Sequence, residues 1–200
     1  MFRLRRADGL PFGHWPGQFV ELSVFGHGEA PLSVSSSPTR GSYLDLTVRK
    51  TGELTAALHE LQPGAEVGVR GPFGTCFDTK AMRGKDLLLI SGGCGLAPMR
   101  ALIQYCLDCR EDFGEVTILY GAKTPEDRLY KQELTDLECA CPVSCQCTVD
   151  CVPPEAEWEG EVWLITVLIP PLELNPQNTL AAIVCPPVMY KFVIAALKPI

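Results

Sequence analysis

DLLLISGGCGLAPMRALIQYCL, residues 86 to 107, changes its period half-way along. Asp86 precedes an unbroken apolar run, Leu87 to Ile90, the pattern of a strand covered on both faces. A turn of small residues follows, Gly92-Gly93-Cys94-Gly95. From Pro98 onward Met99, Leu102, Ile103 and Leu107 recur at helical spacing. Strand, glycine turn and helix N-terminus in that order make a cradle for a phosphate. The glycines let an anion approach the backbone, and the first helical N–H groups and the helix dipole favour negative charge. Proline at the first helical position gives up an N–H that has no intrahelical partner there. Taken alone, the same pattern serves an ordinary strand-to-helix connection equally well. The chain on either side decides.

Downstream, strands and helices alternate. Val116–Tyr120 reads as a buried strand followed by a turn at Gly121-Ala122. Residues 125–137 read as a helix and Val143–Val149 as an alternating strand. Val162–Leu168 and Leu180–Val184 are further buried strands, and Pro187–Leu197 closes as a helix. Such alternation predicts a parallel sheet with helical crossovers. Upstream the rhythm differs. Phe19–Val24, Tyr43–Val48 and Val67–Arg70 are short runs, with turn signals at Pro16-Gly17, Pro38–Ser42 and Pro63-Gly64. These predict a small antiparallel barrel, interrupted by one helix, Leu54–Leu61. The expected fold is therefore a two-domain β plus α/β chain. The barrel would occupy residues 1–78 and the parallel-sheet domain residues 84–200, with the boundary after Gly71-Pro72-Phe73-Gly74.

Composition narrows the function classes. A net charge of −7 with scattered Lys and Arg argues against nucleic acid or an anionic membrane surface as the main partner. No apolar run approaches the roughly 20 residues of a membrane span. MFRLRRADGL carries basic residues with no apolar core after them, so no secretory signal is expected. Ten cysteines then read as reduced thiols or metal ligands rather than a disulfide framework, and a cytoplasmic setting is expected.

Three more stretches carry chemistry. Ala30-Pro31-Leu32-Ser33-Val34-Ser35-Ser36-Ser37-Pro38 either lies flat against a planar ligand or forms a serine-rich edge. Gly52-Glu53-Leu54-Thr55 opens a short helix and makes either an anion site or an N-cap. Cys185-Pro186-Pro187-Val188-Met189 follows a buried strand. Ser91–Gly95, Gly121-Ala122 and Cys185 all stand at carboxyl ends of strands, where open parallel sheets bind ligands.

The order of these pieces, with Pro16-Gly17-Gln18-Phe19, Arg70-Gly71-Pro72-Phe73-Gly74 and Leu129-Tyr130-Lys131, resembles the ferredoxin–NADP reductase-like flavoproteins. Within them it is most similar to the gamma-subunit type of sulfhydrogenases and the matching subunit of anaerobic sulfite reductases. The resemblance implies an FAD-binding barrel followed by an NAD(P)-binding domain. Pro31, Leu32, Ser33 and Val34 would line the flavin ring, with Ser33 near its N5. Val48, Gly52, Leu54 and Thr55 would hold the rest of FAD. Gly92, Gly93, Gly95, Leu96 and Pro98 would hold the NAD(P) pyrophosphate, Gly121 and Ala122 would border the adenosine side, and Cys185, Pro187 and Met189 would sit near the nicotinamide. Ser33 and Cys185 are thus the residues expected beside the reacting atoms. Hydride would pass from nicotinamide to flavin, and single electrons would leave to iron–sulfur subunits of a hydrogenase or reductase complex. The electron-transfer subunit of dihydroorotate dehydrogenase and a non-catalytic docking subunit are the alternatives.

The chain departs from the family pattern in places. Ala30 and Leu32 replace an arginine and a tyrosine, Cys185 runs into Pro186 where a glycine is usual, and Trp163 stands at another usual glycine. Phe2–Arg5 matches the barrel's second strand, so the first is expected to be missing. Relatives carry a [2Fe–2S] segment whose ligands are not found here. Five cysteines, Cys139, Cys141, Cys145, Cys147 and Cys151, do form a stretch of their own. Its spacing matches neither a CxxC pair nor an iron–sulfur run, and Cys145 and Cys147 alternate as in a half-buried strand, so no metal is expected there. Asp150 leans toward NAD, Lys123 and Arg128 toward NADP.

Overall fold

Alternation decides which side chains of the N-terminal runs turn inward. In the computed structural model, which describes residues 1–139 and 143–198, these runs are short antiparallel strands. β1 (Phe2–Arg5) pairs with β4 (Tyr43–Leu46), Phe2 opposite Leu46. β2 (Phe19–Ser23) lies between β3 (Glu29–Ser33) and β5 (Gly68–Phe73). A bridge from Val34 to Leu46 carries the chain of β3 onto β4. The inward residues Val20, Leu22, Val34, Leu44, Leu46 and Val48 meet Leu58 of helix α1 (Glu53–Glu60) in one core. Each such side chain contributes about 1.5–3 kcal/mol by leaving water.

The second part is a five-stranded parallel sheet in the order β10-β6-β7-β8-β9. Its strands are β6 (Asp86–Gly92), β7 (Val116–Ala122), β8 (Ser144–Val149), β9 (Glu161–Val162) and β10 (Thr179–Val184). Helices α2 (Leu96–Asp108), α3 (Lys131–Cys139) and α4 (Pro187–Leu197) connect or follow them. Leu87–Ile90 is buried throughout, as a strand covered on both faces requires. Leu88, Ile90 and Leu119 pack on Ile165, Leu168, Ile169 and Val193. Residues Met1–Phe77 with Arg100–Asp108 make one compact unit, and Asp78–Met99 with Cys109–Ile200 the other.

Several boundaries differ from expectation. A 3₁₀ turn, Gly93–Gly95, precedes α2, which starts at Leu96 rather than Pro98. Pro98 is then the third helical residue, still within the turn whose N–H groups lack intrahelical partners. Gly121 and Ala122 do not turn. They stay in β7, paired with Thr148 and Val149 of β8. α3 begins only at Lys131, because a Thr124–Asp127 turn and the left-handed Tyr130 (φ 51°) come first. Val162–Leu168 is not one buried strand. β9 ends at Val162, Trp163 is 63% exposed, and Ile165–Leu168 is a 3₁₀ turn. The Thr148 hydroxyl takes the next ladder position itself, accepting from the Trp163 N–H at 3.3 Å and lying 2.7 Å from its carbonyl. Cys141 lies outside the described residues.

Candidate functional site

Strand order places the crevice. The chain runs from β6 toward β9 on one side and returns to β10 on the other, so crossovers leave β6 and reach β10 in opposite directions. Ligands of open parallel sheets sit at such a switch point, at the carboxyl strand ends. There the 3₁₀ turn abuts β10 directly. A Cβ on Gly95 would lie 2.2 Å from the Val184 carbonyl oxygen, so only glycine fits. A Cβ on Gly92 would meet Met189 Sδ at 2.4 Å and Cys185 Cβ at 3.3 Å. Thus Gly92, Gly95, Cys185 and Met189, distant in sequence, are brought together.

The turn fits a phosphate. Gly93 adopts φ 53°, and nothing lies within 4 Å of the place a Cβ would take. No side chain caps the turn, and neither it nor α2 has an acidic residue in its first turn. Positive helix-end potential therefore meets open space rather than a carboxylate. The Ser91 hydroxyl is buried at the same strand end without a partner. Burial pushes the Cys185 thiol above its ordinary pKa, so a neutral thiol stands here. Pro186 caps α4 at φ −56°, a value proline adopts without strain, and Pro187 is the first helical residue. Two prolines thus stiffen the turn after Cys185.

Tyr120 is a residue that sequence reasoning passed over as a functional side chain. Its buried hydroxyl donates to the Gly93 carbonyl at 3.3 Å and accepts from the Leu129 N–H at 3.1 Å. Burial raises its pKa to about 12. It positions the glycine turn from beneath. Its place at the end of an apolar strand was the available signal.

In the first unit the serine run divides. Ser35 Oγ donates to the Asp45 carbonyl at 3.1 Å, Ser36 Oγ accepts from the Asp45 N–H at 3.0 Å, and Ser37 Oγ lies 2.6 Å from Thr39 Oγ1. These three are structural. Pro31 is exposed and Ser33 half-buried, free to line a flat ligand, whereas the half-buried Leu32, expected beside the flavin, packs its side chain against the core. Val34 and Val48 send their side chains into the core and offer only backbone, while Leu54 packs against that core. Gly52 has open space on its Cβ side. The Thr55 hydroxyl accepts from the Thr51 and Gly52 N–H groups, each at 2.9 Å, and so closes the α1 turn. It is an N-terminal brace rather than an open anion contact. The accessible strip on β3 and the open Gly52 suit a flavin, with Thr55 acting through the backbone it orders.

A buried ion network was also missed. Asp45, 1% exposed, accepts both Arg3 Nε and Nη2, at 2.8 and 3.0 Å. Arg100 Nη1 donates to the Ser35 carbonyl at 2.9 Å and lies 3.4 Å from Asp45.

Residues 1–77 match the model of the oxidoreductase FAD-binding domain, and residues 89–194 that of the oxidoreductase NAD-binding domain. The chain belongs to this oxidoreductase family. Sulfhydrogenase 1 subunit gamma of Pyrococcus furiosus is 38% identical over 182 residues, covering 91% of this chain and 62% of its own. Sulfhydrogenase 2 subunit gamma of the same organism is 36% identical over 192 residues, covering 91% and 66%. The chain spans less than two thirds of either relative. The cytochrome b5 reductase domain of Ulva prolifera nitrate reductase shares the fold, with TM-score 0.79 at 23% identity over 99% of this chain and 86% of that one. FAD and NAD are thus the cofactors of the family. A [2Fe–2S] cluster of the ferredoxin type needs four cysteine ligands. Among the described residues the one group of potential metal ligands has two, so it does not fit. No helix among them is long and apolar enough to cross a membrane.

Proposed function

We propose that this chain is the FAD-dependent NAD(P)H oxidoreductase subunit of a larger complex. It would pass electrons between NAD(P)H and the iron–sulfur subunits of a hydrogenase or a sulfite or sulfur reductase, in the cytoplasm. The observation that carries the reading is the apposition of Gly92 and Gly95 to Cys185, Met189 and Val184 at the sheet's switch point. The gamma-subunit relatives support the kind of complex.

In this reading residues 1–78 hold FAD and residues 84–200 hold NAD(P). When bound, these two supply the hydride and electron transfer, so no protein acid or base is needed. The N–H groups of Gly93 to Gly95 would hold the pyrophosphate, with Leu96, whose own N–H closes the 3₁₀ turn, and Pro98 stiffening the turn that presents them. Gly121 and Ala122, held in β7, would border the adenosine side. Met189 and the neutral thiol of Cys185 would keep water from the nicotinamide, with Pro187 fixing the helix that carries Met189. Pro31 to Val34 would line the flavin ring, Ser33 donating from its hydroxyl. Gly52 and the turn braced by Thr55 would hold the pyrophosphate side of FAD, with Val48 and Leu54 shaping that surface from the core.

The test is an anaerobic spectrum of the purified chain. Flavin bands bleached by NADH or NADPH are expected. A protein that stays colourless after incubation with FAD, or whose flavin neither nucleotide reduces, overturns the reading and leaves a docking role.

A further inference from the structure

Away from the crevice, α3, β8 and the segment before β9 line an open cavity of about 620 Å³. Cys145 and Cys147, two apart on β8, point to the same face of the sheet, and Glu138 reaches them from α3. The two sulfurs and a Glu138 carboxylate oxygen all lie within 4.8 Å of one another. Arg128 sits above, its guanidinium stacked on Trp158 at 4.7 Å and 3.7 Å from Glu138. Its Nε and Nη2 are buried with no hydrogen-bond acceptor.

We propose that Cys145, Cys147 and Glu138 form a binding site for one thiophilic divalent cation of the zinc type. Sulfur ligands stand about 2.3 Å and carboxylate oxygens about 2.0–2.2 Å from zinc. Two such sulfurs are then roughly 3.8 Å apart, so donors already this close reach an ion by side-chain rotation alone. The fourth position opens into the cavity. In the metal-free chain the pair shares a proton-bearing contact, and the Cys145 thiol is held above its ordinary pKa by its hydrogen bond with Cys147 and by burial. Binding therefore forms two metal–sulfur bonds and one metal–oxygen bond, and releases two thiol protons to solvent with no change of oxidation state. Two thiolates, a carboxylate and a divalent ion leave one net negative charge. Arg128 faces it in a cavity that Glu157, Glu159 and Glu161 also line, and its orphaned Nε and Nη2 groups gain thiolate acceptors. In the metal-free chain Trp158 and Glu138 hold this guanidinium without hydrogen-bonding its Nε or Nη2, and the assignment gives those two groups acceptors. The site is independent of the FAD and NAD(P) reading.

X-ray absorption of the zinc-loaded wild-type chain is the deciding measurement, since it needs no variant. Two sulfurs at about 2.3 Å with oxygen completing the shell are expected. A shell of four sulfurs, or one with no sulfur, overturns the site. Zinc competition with a chromophoric chelator should give one ion per chain. Cys145→Ser and Cys147→Ser should each weaken it by roughly 100-fold or more, and Arg128→Gln by about 10-fold, in proteins whose circular dichroism is unchanged. Undiminished affinity in the folded Cys145→Ser, Cys147→Ser double variant overturns it as well.

Discussion

Replacing Gly95 by alanine tests the core of the crevice. The new methyl group would lie 2.2 Å from the Val184 carbonyl oxygen and 2.8 Å from its carbon. Comfortable contact needs about 3.5 Å, so the glycine turn and the end of β10 must part by about 1 Å. Neither side yields easily. Val184 is in register with Ser91 of β6, and Gly95 stands directly before α2. Overpacking of this kind costs about 1–3 kcal/mol, a fall in Tm of roughly 2–10 °C for a chain of this size. A shift of about 1 Å in a binding constellation costs on the order of 100-fold in rate. Gly95→Ala should therefore keep its flavin yet be bleached by NADH about 100-fold more slowly in anaerobic stopped flow. Gly92→Ala is the control. Its methyl meets Met189 Sδ at 2.4 Å and Cε at 2.8 Å, the far end of a flexible side chain. Adding Met189→Ala should restore most of what Gly92→Ala loses in Tm, and nothing of what Gly95→Ala loses. A Gly95→Ala chain that melts and bleaches like the wild type would refute the apposition.

Two further outcomes concern buried polar groups. Tyr120 ionises near pH 10.0 unfolded and near pH 12 in the native chain. Its contribution is therefore complete below about pH 10 and is lost as pH rises through about 12, on the order of 2–3 kcal/mol. Denaturant titrations at about pH 7 and about pH 11 should show this alkaline decline in the wild type and a smaller one in Tyr120→Phe, which also loses about 1–3 kcal/mol at neutral pH because the Leu129 N–H is left without an acceptor. Arg100→Met should cost about 1–3 kcal/mol in chemical denaturation, since the buried Ser35 carbonyl loses this donor while Asp45 keeps Arg3. A loss under about 1 kcal/mol would mean that the Ser35 carbonyl does not depend on this donor.

The sequence made the second unit legible wherever period and punctuation agreed. The apolar run, glycine turn and helix at 86–107 could be read directly, and so could β10 and α4. Glycine misled at Gly121, because a residue that often turns can equally sit in a strand whose neighbour, β8, supplies its ladder. Apolar content misled at Val162–Leu168, since the Thr148 hydroxyl stops the pairing and nothing local announces it. The pattern at 125–137 hid the left-handed Tyr130, a backbone state that residue type does not reveal. The individual crevice residues were named, but their contacts were not legible: Gly95 touches Val184 only because β10 folds back beside β6. Glu138 and Arg128 joined Cys145 and Cys147 for the same reason. Which face of α3 meets β8 is a tertiary fact.

β10 pairs with β6 although three other strands and two helices lie between them in the chain. During synthesis the glycine turn therefore emerges long before the strand that walls it. Until β10 docks, one edge of β6 is an apolar strand with unpaired backbone groups, the kind of surface that recruits other chains. Non-local pairing of this sort is also slow. A nucleotide that binds only the completed crevice stabilises only chains translated through β10. The coenzyme would thus act as an inspector of finished molecules, leaving interrupted ones to the proteases.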